Sequence, residues 1–148
     1  MIPTTLNLLL ADDDSDDCFF FKEALEEIPI SAKLTTVNNG VQLMKLLSGK
    51  ESPLPDAVFL DLNMPRKSGL ECLAEIKTID KLMHLPVIIY STSLNPEVVK
   101  ILYEKGAQYY ICKPGEFAKL KKVILEAIAL LSQNKLTQPS RDKFILQS

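Results

Sequence analysis

Apolar residues along the chain alternate between two regimes. Five short runs, NLLLAD (7–12), AKLTTV (32–37), DAVFLD (56–61), PVIIYS (86–91) and QYYICK (108–113), are strand-sized and mostly bounded by polar or turn residues. Between them apolar positions recur every three or four residues, which predicts helices. After Ser15 the apolar face is Phe21, Ala24, Leu25 and Ile28, with Pro29 as the stop. Val41, Met44 and Leu47 form a second face ended by Gly49, and Leu70, Leu73 and Ile76 a third after Ser68. The fourth segment is the best punctuated: Asn95 can cap, Pro96 suits the first helical position and Gly106 suits a left-handed exit. The fifth places Phe117, Leu120, Ile124, Ala127, Ile128 and Leu131 on one stripe, with Lys119, Lys121 and Lys122 largely off it.

Strands alternating with helices, each connection long enough for a crossover, predict an α/β fold with a parallel sheet flanked by helices on both faces. Five such units fill residues 7–132. The runs LLLA, VFL and VII are continuously apolar, as expected of strands covered on both sides. Residues 133–148 mix a proline with both signs of charge and read as a poorly ordered tail, or else as a segment whose FIL docks on the domain or on a partner.

Composition narrows the function class. The 148 residues fit one domain, and a hydrophobic fraction of 47% suffices for a core. A net charge of −2 offers no broad footprint for nucleic acid. Cys18, Cys72 and Cys112 are odd in number and widely spaced, so neither a disulfide framework nor a zinc site is indicated, and reduced thiols suit the cytoplasm. The N-terminus lacks the basic start of a signal peptide, and no apolar run approaches the roughly 20 residues of a membrane span. His84, the single histidine, falls in a loop and reads as a surface residue.

Candidate chemistry gathers at the strand ends. In open α/β sheets ligands bind outside the carboxyl ends of the strands. Strand 1 ends in Asp12 and Asp13, strand 3 in Asp61, strand 4 in Ser91 with Thr92, and strand 5 in Lys113 followed by Pro114. Three carboxylates, a hydroxyl and an ammonium on one edge suit a hard cation and a phosphoryl group. Mg²⁺ wants oxygen ligands and keeps several waters, so Asp13 and Asp61 are candidate ligands, with Asp12 reaching through water. A carboxylate can also attack a phosphoryl group to give an acyl phosphate, and Asp61 is the choice for that role. Lys113 and Ser91 would neutralise charge on the phosphoryl oxygens. Asp14, Asp16 and Asp17 are assigned instead to the exposed start of the first helix, where acids offset the macrodipole.

LLLADDDSDD, VFLDLNMPRKSGLECL, PVIIYSTS and YYICKP, in this order, resemble the signature blocks of the response-regulator receiver domain of two-component signalling. The resemblance runs from about residue 6 to residue 132. It implies a flavodoxin-like, doubly wound fold with strand order 2-1-3-4-5, an order that spacing alone does not supply. By position it implies Asp61 as phosphoacceptor, Asp12 and Asp13 as the acidic pair of a Mg²⁺ site, and Asn63 as a metal ligand through its backbone carbonyl. It further implies Ser91 as the switch hydroxyl, Tyr110 as the switch aromatic (with Tyr109 beside it as the alternative), Lys113 as the phosphate-pairing lysine and Pro114 as a cis-proline. Thr92 stands where a small residue is common and would line the approach to the phosphoryl group.

The expected protein is a stand-alone receiver, residues 1–132, with a 133–148 tail and no output domain. Its donor would be a sensor histidine kinase or a phosphotransfer protein. Its signal would pass through the surface of helix 4, strand 5 and helix 5, to a separate protein target or to a second copy of itself, without nucleic acid or membrane. Two rivals remain at this point. One is a receiver-like binding module independent of phosphorylation. The other is a phosphatase of the haloacid dehalogenase type, whose second acid, two residues after the nucleophile, is here Asn63.

Overall fold

Every helix whose start carries a polar cap begins where that side chain can accept an orphan backbone N–H. In a computed structural model describing residues 5–49, 53–133 and 137–146, the Asp14 carboxylate accepts from the Asp16 and Asp17 amides and opens α1 (Ser15–Glu27). Asn39 opens α2 (Gly40–Leu47), and Ser68 with Glu71 forms a capping box on α3 (Gly69–Ile76). Asn95 with Pro96 opens α4 (Pro96–Glu104), and α5 spans Phe117–Gln133. Gly106, at φ 98, supplies the left-handed exit after α4 that a side chain would resist.

The strands are β1 (Leu6–Ala11), β2 (Ala32–Val37), β3 (Ala57–Leu60), β4 (Val87–Ser91), β5 (Tyr109–Cys112) and β6 (Ile145–Leu146). They form one sheet in the order β2-β1-β3-β4-β5-β6, and every neighbouring pair is parallel. On one face Leu9, Val58, Ile89 and Tyr110 pack with α2, α3 and α4; on the other, Leu8, Phe59, Tyr90 and Ile111 pack with α1 and α5. Two-sided burial explains why β3 and β4 are buried at every position while the edge strand β2 is largely not. Among the described residues no helix is long and apolar enough to cross a membrane.

Three expectations need correction. The buried face of α2 is Gly40, Leu43, Met44 and Leu47, with Val41 exposed. Gly40 packs so closely against the loop between β3 and α3 that a Cβ there would lie 2.3 Å from the Lys67 carbonyl oxygen, which keeps this side of α2 turned inward. The sheet has six strands rather than five, because the tail adds β6 to the free edge of β5. The tail is accordingly ordered from Thr137 to Leu146. Phe144 is fully buried against the Tyr103 and Tyr110 rings, and the Tyr110 amide donates to the Phe144 carbonyl at 3.0 Å. Tyr103 Oη donates to the Pro139 carbonyl at 2.7 Å, and Gln138 Nε2 to the Tyr103 and Ala107 carbonyls at 2.8 and 2.7 Å. An apolar anchor and paired backbone outweigh the tail's polar composition.

Candidate functional site

The parallel ladder continues one residue beyond three strand ends, and that extension places the site. The Asp12 amide donates to the Val37 carbonyl (3.1 Å), the Asp61 amide to the Ala11 carbonyl (2.9 Å) and the Lys113 amide to the Ser91 carbonyl (2.9 Å). Each functional side chain therefore leaves from backbone held in sheet register. Gly69 fixes the loop after β3: its amide donates to the Leu62 carbonyl at 3.0 Å, and a Cβ there would sit 2.2 Å from the Asp61 carbonyl oxygen.

Carboxylate oxygens of Asp12, Asp13 and Asp61 lie within 4.8 Å of one another. Asp12 and Asp61 are buried and Asp13 is exposed, so the cluster opens to solvent on one side. Both Asp12 oxygens are engaged, Oδ1 by the Asp14 amide (2.9 Å) and Oδ2 by Lys113 Nζ (2.8 Å). Lys113 Nζ also donates to Asp17 Oδ2 at 2.7 Å and stands 3.6 Å from Asp61 Oδ2. It lies 5.0 Å from the Tyr90 ring centroid, on the ring face that attracts cations.

Burial, more than the surrounding charges, governs the titration of Asp61. Burial, and next the charge of Asp12, push Asp61 up to about 6 although Lys113 and the Leu62 and Asn63 amides pull it down. Burial by itself would lower Lys113, yet its hydrogen bonds to Asp12 and Asp17 raise it above the usual lysine range. Three hard oxygen donors this close, open to solvent on one side, fit a small divalent cation well.

Ser91 is fully buried at the end of β4, and its Oγ accepts from the Ser93 amide at 3.3 Å. Thr92 and Asn63 are exposed beside the cluster, and Met64 is buried. Tyr110 is fully buried, and its hydroxyl donates to the Ser93 carbonyl in the loop between β4 and α4. Tyr109 points to the opposite face of the sheet, among the α1 and α5 side chains. Alternation along β5 thus separates the two neighbouring tyrosines and puts only Tyr110 at the loop. His84 is exposed, as expected.

The expected cis bond before Pro114 is absent: Lys113–Pro114 is trans, like every peptide bond among the described residues. The trans isomer of an X-Pro bond is intrinsically favoured by about 0.5–1 kcal/mol. Asp17 is the second correction. It is only a third exposed, and it pairs with Lys113 rather than facing solvent. Its position gave a usable signal, because side chains in a first helical turn lean back toward the N-terminus, here the edge where Lys113 emerges. Tyr90, beneath the ammonium, carried no sequence signal beyond that of a core residue.

Comparison with known proteins agrees with this geometry. The profile of the response regulator receiver domain matches residues 8–125. Response regulator Rcp1 of Synechocystis sp. is 33% identical over 121 residues, covering 79% of this chain and 82% of Rcp1. The crystal structure of the phosphorylated cyanobacterial phytochrome response regulator RcpA superimposes with a TM-score of 0.78 at 30% identity, covering 93% of this chain and all of RcpA. The Mn²⁺-bound form of Rcp1 gives 0.76 at 32% identity, covering 91% of this chain and 99% of that one. By its sequence, its sheet order and its clustered strand-end residues, the chain belongs to the response regulator receiver domain family.

Proposed function

We propose that this chain accepts a phosphoryl group on Asp61 from a phosphohistidine of a sensor histidine kinase or a phosphotransfer protein. The observation that carries this reading is the convergence of Asp12, Asp13, Asp61 and Lys113 on one sheet edge. An Asp61 oxygen attacks phosphorus, the phosphorus–nitrogen bond of the donor breaks, and an acyl phosphate forms. Such transfer is catalysed by positioning and by neutralising charge on the equatorial oxygens. Lys113 and the Ser91 hydroxyl are the groups of this chain that do so, and Thr92 lines the approach. The receiver unit is residues 1–132, acting as a phosphoacceptor rather than an enzyme with a turnover substrate.

Asp13 and Asp61, with the Asn63 backbone carbonyl and Asp12 through water, would hold Mg²⁺. When bound, the ion supplies positive charge against the phosphoryl oxygens. The Mn²⁺ form of Rcp1 and the phosphorylated form of RcpA support both parts of the reading.

Phosphorylation biases the loop between β4 and α4, where Ser91 and the Tyr110 hydroxyl both contact Ser93. A signal leaves through α4, β5 and α5, whose β5 edge the tail shares, toward a protein target or a second copy. Intact-protein mass spectrometry with acetyl phosphate and Mg²⁺ tests the proposal. One phosphoryl adduct is expected, absent in Asp61→Asn and after EDTA. No adduct in the wild type at any time point would leave a binding module that works without phosphorylation.

A further inference from the structure

Lys113 rests on the acids of the β1–α1 segment, not on Asp61. Its ammonium has three N–H donors, and two lie at hydrogen-bond distance from Asp12 Oδ2 (2.8 Å) and Asp17 Oδ2 (2.7 Å). Asp61 Oδ2, at 3.6 Å, is within ion-pair range but beyond the usual N–H···O length. The third N–H is left for a phosphoryl oxygen on Asp61, whose greater negative charge would draw the ammonium toward it and lengthen one of the two shorter contacts.

Burial decides which one. The Asp12 side chain is 0% exposed, and losing Lys113 would leave a buried charge short of its partner, a costly outcome. The Asp17 side chain is 32% exposed at the start of α1, so water can take the place of the ammonium. The Lys113 side chain is nearly buried with its ammonium over the Tyr90 ring, 2.7 Å from Asp17 and 3.6 Å from Asp61, so only a short displacement separates the two carboxylates.

We infer that Asp17 is a positioning residue for phosphoryl acceptance: it parks the Lys113 ammonium in the resting state and is the contact given up when Asp61 carries a phosphoryl group. The inference rests on Asp61 being the acceptor. An acid in a first helical turn also offsets the helix dipole, but that role has no reason to favour one state of Asp61 over another.

Beryllofluoride, a mimic of the aspartyl phosphate, is titrated with Mg²⁺ into wild type, Asp17→Asn and Asp17→Glu, with thermal unfolding confirming that each is folded. The Lys113 ammonium nitrogen resonance is followed in the same samples. Removing the competing charge should tighten binding about three- to tenfold in Asp17→Asn, the scale of a partly exposed charge pair, and Asp17→Glu should return it toward wild type. The Lys113 resonance should differ between wild type and Asp17→Asn before the mimic is added and coincide afterwards. Equal or weaker binding by Asp17→Asn overturns the inference, as do indistinguishable Asn and Glu variants or a Lys113 resonance that ignores Asp17. Should the wild type bind no beryllofluoride, the acceptor reading itself fails. Wild-type binding with an unaffected Asp17→Asn removes only the role of Asp17.

Discussion

Replacing Asp61 by Asn should make the metal-free protein more stable. Asp61 is buried within 4.8 Å of Asp12 and Asp13 oxygens, and its carboxyl is pushed up to about 6, first by burial and next by Asp12. An unfolded aspartate titrates near 3.9, so ionising Asp61 at neutral pH costs the fold about two pH units' worth of free energy, roughly 3 kcal/mol. Part of this returns as a penalty, because an amide must still find partners where the carboxylate accepts the Leu62 and Asn63 amides. A net gain of about 1–2 kcal/mol remains, or roughly 2–8 °C in thermal midpoint for a chain of this size. The sign with pH follows from the raised folded value. Between about 4 and 6 the folded protein binds the proton more readily than the unfolded one, so wild type closes the gap as pH falls through that window. Mg²⁺ should reverse the ranking, since it stabilises the form that binds it and the variant lacks one of the proposed carboxylate ligands. Differential scanning calorimetry at pH 7 and pH 4.5, with EDTA and with Mg²⁺, measures all three effects. A metal-free Asp61→Asn protein less stable than wild type at pH 7, or a difference independent of pH, would refute the electrostatic account.

Other perturbations have outcomes of comparable sharpness. Gly69→Ala places a Cβ 2.2 Å from the Asp61 carbonyl oxygen and 2.9 Å from Leu62 Cα; a loss of about 1–3 kcal/mol in urea unfolding and slower phosphoryl adduct formation are expected, and wild-type values for both would contradict the close packing. Phe144→Ala should release the tail. A buried Phe→Ala change costs about 3–5 kcal/mol, but a segment able to detach limits the global loss to its own docking energy, so rapid hydrogen exchange of residues 137–146 and of the Tyr110 amide is the decisive signal. Cys18 and Cys72 should resist alkylation at pH 7. Burial first, and for Cys18 next the charge of Asp12, push both thiols up to about 11, which cuts the thiolate fraction by about 100-fold relative to a free cysteine; labelling at free-thiol rates would show the Cys18 surroundings to be far less acidic than described.

Local chemistry alone was enough to read the five βα units, the cap of α4, and the strand-end carboxylates and lysine. Each of these depends on neighbours within a few residues: apolar runs of strand length, an Asn–Pro start, an acid following the last apolar position. The strand order came from family resemblance, because periodicity says which face a residue takes and nothing about which strand lies beside it. The tail shows the limit most clearly. TQPSRDK is polar and carries a proline, yet one aromatic side chain, Phe144, finds a place against Tyr103 and Tyr110, and the open edge of β5 supplies backbone partners that no local pattern encodes.

Asp17 was misread for the same reason. Five aspartates in six positions look alike in type; a first-turn position turns Asp17 back toward the strand-end edge, but only folding brings a lysine 96 residues away within its reach. The separation of Tyr110 from Tyr109 lies between these cases, since strand alternation sends them to opposite faces but only the assembled sheet says which face holds the β4–α4 loop. Residue type and short-range periodicity set what each segment can do, because they act through the chain's own backbone. Long-range pairing set what the segments do together, because burial and charge depend on who the neighbours are.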